Sequence, residues 1–318
     1  MKLAFSLLLL TSIAFAADTP AKKAEAPAKK APAKKVYPKN PPPTVANFKY
    51  GPAERNVLDF WQAKSDKPTP LLFFIHGGGW MGGDKAGIAV EPFLKEGISV
   101  VSINYRYISQ AQDVVPPVKA PLTDAALALQ TVRSKAAEWN IDKTRIGASG
   151  GSAGACSSLW LAFHDDMADP KSSDPIARES TRLYTAAVNG PQTTLDPKQM
   201  REWTPNSKYG SHAFGKSGEF KDFDAFVAAR ERILPWINEY SPYALVSSDD
   251  PGVYCLFGAP PAIGQDQKDP THTANFGVKL QEHCKEKGVS CEVVYPGAMD
   301  VKNKTINEYL IAKLKEAK

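Results

Sequence analysis

From residue 71 onward two hydrophobic rhythms take turns along the chain. Residues 71–75, Leu-Leu-Phe-Phe-Ile, form an unbroken apolar run, the signature of a parallel strand buried on both faces. Residues 98–104, 146–148, 184–188, 253–257 and 291–295 read as strands of the same sheet. Between them lie stretches of helical period. Over residues 122–139, Leu129, Val132, Ala136 and Trp139 fall on one face, as a turn of about 3.6 residues requires. Residues 155–163, 274–287 and 306–315 predict further helices. Two earlier runs, 47–51 and 57–63, predict an antiparallel edge. Alternation of strand and helix predicts an α/β class: a mostly parallel sheet with helices on both faces.

Residues 192–248 interrupt the rhythm. Trp203, Tyr209, Phe214, Phe220, Phe223, Phe226, Trp236, Tyr240 and Tyr243 crowd into this region. It reads as an insertion between two sheet strands, lying over their carboxyl ends where ligands bind. Two roles stay open: a cap over the ligand, or a plain helical insertion with its own small core.

The N-terminus has a different character. Lys2, the apolar run 3–13 and Ala14-Phe15-Ala16 have the plan of a signal peptide cleaved after Ala16, which predicts a periplasmic or secreted protein. No later stretch reaches the roughly 18 apolar residues of a membrane span. Residues 17–45 repeat Ala, Lys and Pro and cannot bury enough apolar surface to offset their ordering entropy. They predict an extended tether, leaving residues 46–318 as one domain. The tether holds seven lysines against Asp18 and Glu25, which accounts for the chain's formal net charge of +5 and leaves the domain close to neutral. Such a segment suits an anionic surface, envelope lipid or cell-wall polymer, and suits a plain spacer better. Basic residues are not interleaved with stacked aromatics, which argues against nucleic acid.

The candidate chemistry lies in two glycine-rich stretches. Gly150-Gly151-Ser152-Ala153-Gly154 follows a strand and opens a helix, the setting of a nucleophile elbow. A serine hydroxyl there is presented at a sharp turn, and the Ala153 amide faces a developing oxyanion. Upstream, His76-Gly77-Gly78-Gly79-Trp80 closes the strand 71–75. Its bare backbone lets the Gly77 and Gly78 amides approach an anion.

These two motifs, in this order, resemble the HGGG-type carboxylesterases of the α/β-hydrolase superfamily, the hormone-sensitive-lipase-like and feruloyl-esterase-like branch. The resemblance runs from about residue 47 to the end and takes in Asn104-Tyr105-Arg106-Tyr107, Ala137-Glu138-Trp139-Asn140 and Tyr295-Pro296-Gly297-Ala298. It implies hydrolysis of small acyl esters, acetyl or feruloyl groups on polysaccharide among them, through an acyl-enzyme on Ser152, with Gly77, Gly78 and Ala153 as oxyanion donors and no cofactor. The partners should follow in the order Ser, acid, His. The loop after 253–257 offers Asp266 and Asp269. The resemblance favours Asp269, which stands just before a helix in Asp269-Pro270-Thr271-His272, and leaves Asp266 as the second choice.

The histidine expected beyond Tyr295-Pro296-Gly297 is missing. The chain reads Ala298-Met299-Asp300-Val301-Lys302-Asn303 there, and no histidine follows His283. Asn303 can hydrogen-bond but takes no proton at neutral pH. Three readings stay open: His272 serves as a relocated base, the chain is a degenerate esterase that binds without turnover, or it works weakly through the oxyanion hole alone. His76 is expected to brace the oxyanion loop. His164 and His212 are expected far from the site, and His283 in solvent. Cys156 and Cys255 read as packed thiols, while a Cys284–Cys291 disulfide stays open. No Cys or His spacing points to a metal.

Overall fold

The structure, a computed structural model, describes residues 37–215 and 219–316. The expected signal peptide and the part of the expected tether before Tyr37 lie outside the described residues. Among the described residues eight strands build one sheet: β1 Val45–Lys49, β2 Val57–Trp61, β3 Thr69–Ile75, β4 Ser99–Ile103, β5 Ile141–Gly151, β6 Thr185–Asn189, β7 Val253–Leu256 and β8 Cys291–Val294. Their order is β1-β2-β4-β3-β5-β6-β7-β8. β1 pairs antiparallel with β2, and β2 antiparallel with β4. All remaining pairs are parallel.

The expected α/β class therefore holds, antiparallel edge included. Leu71, Leu72, Phe73 and Ile75 of β3 are fully buried, because helices cover both faces of the sheet. The helices are α1 Glu91–Lys95, α2 Lys119–Ser134, α3 Ala153–Phe163, α4 Pro197–Trp203, α5 Phe223–Ala228, α6 Arg230–Tyr240, α7 Pro242–Leu245, α8 Asn275–Lys287 and α9 Ile306–Leu314. One core packs α2 and α3 against the sheet. A second packs Tyr309, Leu310 and Leu314 of α9 with Phe93 of α1 against the other face.

Three expectations on extent need correction. The helix expected over 122–139 ends at Ser134. Residues 135–140 form turns instead, and Asn140 reaches φ 51°; Trp139 leaves the helix to stack on Phe60 at 4.6 Å. The tether expected through residue 45 stops short of it. The side chain of Asn40 donates to the Ile88 carbonyl, and the indole of Trp61 donates to the Pro41 carbonyl. β5 also starts five residues earlier than its apolar stretch, since Thr69 opposite Ile141 extends the ladder.

Residues 190–252 form the insertion between β6 and β7 and carry α4 to α7. Phe214, Phe226, Ile233 and Ile237 are buried within it. The Trp160 indole of α3 donates to the Glu239 carbonyl, which ties the insertion to the elbow helix. All four cysteines are free, buried thiols. Cys291 lies within hydrogen-bonding reach of both Cys255 and Cys284. The open disulfide is thus absent, and Cys284 is one of two thiols that Cys291 contacts. Among the described residues no helix is long and apolar enough to cross a membrane.

Candidate active site

Ser152 stands between β5 and α3 at φ 53°, ψ −122°. A side chain rarely adopts positive φ, at a cost on the order of 1–3 kcal/mol. The surrounding glycines permit it. A Cβ on Gly150 would lie 2.4 Å from the Ile75 carbonyl oxygen, and one on Gly154 2.1 Å from the same atom. Real Cβ atoms never come so close to backbone. The turn is held by the Ser152 amide, which donates to the Asn189 carbonyl at 3.0 Å. Ala153, rather than Ala155, opens the helix, so its amide belongs to the first turn, where N–H groups lack helical partners.

The glycine loop packs directly on this turn. A Cβ on Gly77 would meet the Gly151 carbonyl oxygen at 2.4 Å and Ser152 Cβ at 3.5 Å. Gly78 and Gly79 have φ of 110° and 62°, conformations that glycine adopts without strain. Buried polar groups fix the loop from below. The ring of His76 stacks on Tyr105 at 4.2 Å, its Nδ1 bonds the Gly77 carbonyl, and Arg55 reaches its Nε2 at 3.3 Å. Since the guanidinium is a donor only, Nε2 accepts and Nδ1–H donates. The Tyr105 hydroxyl donates to the His76 carbonyl at 2.7 Å, and the Trp80 indole donates to Ser157 Oγ at 3.0 Å. His76 therefore sits where bracing was expected of it. Arg55 and Ser157 gave no sign in the sequence, because their contacts cross 21 and 77 residues.

Asp269 and His272 stand on one turn of the loop between β7 and α8. His272 Nε2 lies 2.9 Å from Ser152 Oγ, and His272 Nδ1 lies 2.8 Å from Asp269 Oδ2. The Thr271 and His272 amides donate to Asp269 Oδ1 at 3.1 and 3.3 Å. Burial works to raise the Asp269 carboxyl. The His272 ring, its charge and those two amides outweigh burial and hold the carboxyl below its ordinary range. With Asp269 accepting, Nδ1 carries the ring proton, and Nε2 is free to accept from the serine. Asp266 is exposed, and its carbonyl rather than its carboxylate is engaged, by the Gln267 amide.

The four residues 152, 153, 269 and 272 and the glycine loop thus come together. Asn303 does not join them. Its carbonyl accepts from the Tyr254 hydroxyl at 3.0 Å, and Tyr254 belongs to the core on the α9 side of the sheet. A cleft of about 810 Å³ opens at Ser152, lined among others by Asn189, Gly258, Lys268, Asp269 and His272. A second cleft of about 470 Å³, lined by Met81, Ile108, Val114, Pro117 and His212, lies beside the glycine loop. Among the described residues no group of His, Cys, Asp and Glu is arranged to hold a metal.

Two histidines sit elsewhere than expected. His212 is not remote: it hydrogen-bonds the main chain of Gly79, packs against Tyr209 at 4.6 Å and lies 5.9 Å from Trp80. Burial pushes its imidazole down to about 4, and its Nε2 is buried without a partner. His283 is not simply solvated: it stacks on Tyr243 of the insertion at 4.4 Å and contacts Glu286. The contacts of His212 with Gly79 and of His283 with Tyr243 depend on how the insertion folds back, which no local pattern announces.

Known proteins share this framework. The chain is 30% identical over 186 residues to a cholinesterase of Branchiostoma lanceolatum, a match that covers 55% of this chain and 49% of that protein. The chain therefore spans about half the length of this curated relative. Among solved structures it superposes on an acetyl ester-xyloside bifunctional hydrolase from Caldicellulosiruptor lactoaceticus with a TM-score of 0.58 at 22% identity, covering 80% of this chain and 86% of that one. A truncated carbohydrate esterase from gut microbiota gives a TM-score of 0.62 at 19% identity, covering 90% and 100%. At these identities the superpositions speak for the fold alone. The BD-FAE family profile matches residues 58–262, a stretch that holds the glycine loop and the elbow and ends before Asp269. By that match, and by a sheet and elbow of α/β-hydrolase design, the chain belongs to the BD-FAE family.

Proposed function

We propose that the protein is an exported serine carboxylesterase acting on small acyl esters, with Ser152 as nucleophile, His272 as general base and Asp269 as its orienting acid. The observation that carries the reading is the pair of contacts at 2.9 and 2.8 Å that link Ser152 Oγ, His272 and Asp269 in series. A serine needs an adjacent base to attack at neutral pH. In this chain the base and the acid lie three residues apart on one loop, so the missing histidine after β8 does not leave the serine alone.

The steps follow from the geometry. Ser152 Oγ attacks the ester carbonyl carbon while its proton passes to His272 Nε2. The carbonyl oxygen gains the negative charge and turns towards the amides of Gly77, Gly78 and Ala153. Collapse expels the alcohol oxygen, which takes the proton from His272 and leaves an acyl-enzyme. Water then attacks the acyl carbon, gives its proton to His272, and the proton returns to Ser152 Oγ as the carboxylic acid departs. Asp269 stabilises the imidazolium that exists between these transfers.

The open cleft at Ser152, about 810 Å³, suits a bulky alcohol such as a sugar chain better than a long acyl group. Two solved structures of like fold are named an acetyl ester-xyloside bifunctional hydrolase and a carbohydrate esterase, and acetyl groups on polysaccharide are taken as the substrate class. The leader 1–16 supports export, and the Lys-rich segment supports residence near an anionic surface. The test compares p-nitrophenyl acetate with the octanoate, and acetylated with deacetylated xylan, for the wild type, Ser152→Ala and Asn303→His. Acetate turnover that Ser152→Ala abolishes and Asn303→His leaves unimproved is expected. A large gain in Asn303→His would place the working base after β8 and sink the assignment of His272.

A further inference from the structure

The loop that carries Asp269 and His272 runs over residues 257–274, between the end of β7 and the start of α8. Connections of that length without regular structure are uncommon in compact domains, and such a segment is mobile unless it is tied down. Burial alone does not hold the reacting pair, although the His272 ring lies against Gly190. The side chains of Asp269 and His272 are 62% and 39% exposed. Nevertheless His272 Nε2 has to stay within reach of a serine on a different element.

The ties come from the insertion. The Asn206 side chain pairs with the backbone of Gln267 in both directions: Nδ2 donates to the carbonyl at 2.8 Å, and Oδ1 accepts from the amide at 3.0 Å. This is the pairing a neighbouring strand would make. The Gly264 amide donates to the Trp203 carbonyl at 3.0 Å. Asn275, fully buried, binds the loop through the Ala262 amide at 2.7 Å and the insertion through the Trp203 carbonyl at 2.8 Å. Closest to the chemistry, Gln192 Nε2 donates to the Thr271 carbonyl at 2.7 Å, one residue before His272.

Gln192 carries the more telling detail. It is 1% exposed, and its Oε1 is buried without a partner. An unsatisfied buried acceptor is destabilising, and an apolar residue of the same shape would avoid that cost. What the amide supplies here is a bond to the acid–base turn, with a longer one to the Gly190 carbonyl at 3.3 Å.

We infer that the insertion between β6 and β7 clamps the acid–base turn, with Gln192 and Asn206 as positioning residues that keep His272 on Ser152. The inference rests on the proposed function, which it deepens: the insertion sets the geometry of the relocated base instead of only covering substrate. Because the base sits deep in a long, largely exposed loop, the chain needs such a clamp.

The experiment uses the full chain with Gln192→Met and Asn206→Asp. Gln192→Met keeps the volume and removes both the donor and the unsatisfied acceptor. Four quantities are read: kcat and KM on p-nitrophenyl acetate, the rate of fluorophosphonate labelling, Tm, and amide hydrogen exchange over residues 266–273. Each variant should lose about tenfold in kcat and labelling rate, with KM changed by less than about twofold, as expected of a misplaced catalytic group. Exchange over 266–273 should rise about tenfold or more. Gln192→Met should shift Tm little, since losing the unsatisfied Oε1 offsets the donor taken from the Thr271 and Gly190 carbonyls, a split from the kinetic loss that a merely structural residue would not give. Exchange and labelling within about twofold of wild type in both variants would overturn the clamp, as would a loss of Tm in Gln192→Met with exchange unchanged. If the wild type itself neither hydrolyses nor labels, the proposed function fails, and the exchange measurement alone still decides the clamp.

Discussion

Replacing Asp269 by asparagine should harm activity more than replacing it by alanine, although asparagine is the closer mimic. The reason lies in how the carboxylate is held. Oδ1 accepts from the Thr271 and His272 amides, and Oδ2 accepts from His272 Nδ1 at 2.8 Å. An asparagine in this place keeps its oxygen on the two amides and turns its NH₂ to His272 Nδ1. That nitrogen then has to accept, the ring proton moves to Nε2, and Nε2 can no longer take a proton from Ser152. Alanine removes the charge but leaves the tautomer free. The charge itself has limited worth because the Asp269 side chain is 62% exposed. Two unit charges about 4 Å apart attract by about 1 kcal/mol in water and about 4 kcal/mol at a partly screened surface site. The exposed setting selects the lower half of that span, about 1 to 2.5 kcal/mol, so Asp269→Ala should lose about 5- to 70-fold in kcat. Asp269→Asn should lose about tenfold more, the cost of one misdirected hydrogen bond of about 1 kcal/mol or more. The assay is p-nitrophenyl acetate hydrolysis under saturation at pH 7.5 for the three proteins. Asparagine equal to or better than alanine would refute the tautomer argument. Less than about threefold loss in both would remove Asp269 from the mechanism.

Two further outcomes follow from the same structure. Gly154→Ala places a Cβ 2.1 Å from the Ile75 carbonyl oxygen and 2.7 Å from that of His76; backbone cannot yield as a side chain end can, so a loss of about 3 kcal/mol or more is expected, seen as a Tm lower by roughly 6 °C or more, and an unchanged Tm would contradict the packing of loop on elbow. His212, held down to about 4 by burial, sits below the roughly 6.5 of an unfolded histidine. The unfolded chain therefore takes the proton first, so this contribution to stability is full above about pH 6.5 and is lost as pH falls towards 4, by up to about 3 kcal/mol. Melting curves of wild type and His212→Gln between pH 7 and 4.5 check it: the variant should fall less steeply with acid, and parallel falls would speak against a buried neutral imidazole.

What the sequence disclosed, and what it hid, divides by the range of the interactions. The strands were legible because burial on both faces leaves no room for polar residues, as in residues 71–75. The elbow and the glycine loop were legible because Gly150, Gly154 and Gly77 answer contacts too close for any side chain. The preference for Asp269 over Asp266 came from the resemblance; the structure puts Asp269 beside His272 at 2.8 Å. His272 could be named as a base because it stands near that acid, yet only the fold brings it to a serine 120 residues away. The roles of His212, Gln192 and Asn206 had no local signature. Their partners lie on the glycine loop and the acid–base loop, and the contacts of Gln192 and Asn206 span 79 and 61 residues. The helix expected over 122–139 was overrun because Trp139 keeps a helical spacing while packing from a turn. Hydrophobic period records which side chains are buried, not the backbone conformation that buries them.

The central claim is that Ser152 is activated by His272. Active-site labelling tests it most directly. A chain of residues 17–318 is exposed to a fluorophosphonate probe at neutral pH, beside Ser152→Ala and His272→Ala. The account predicts rapid labelling of the wild type, none in Ser152→Ala, and a rate lower by about a thousandfold or more in His272→Ala. Labelling of His272→Ala at the wild-type rate would contradict it.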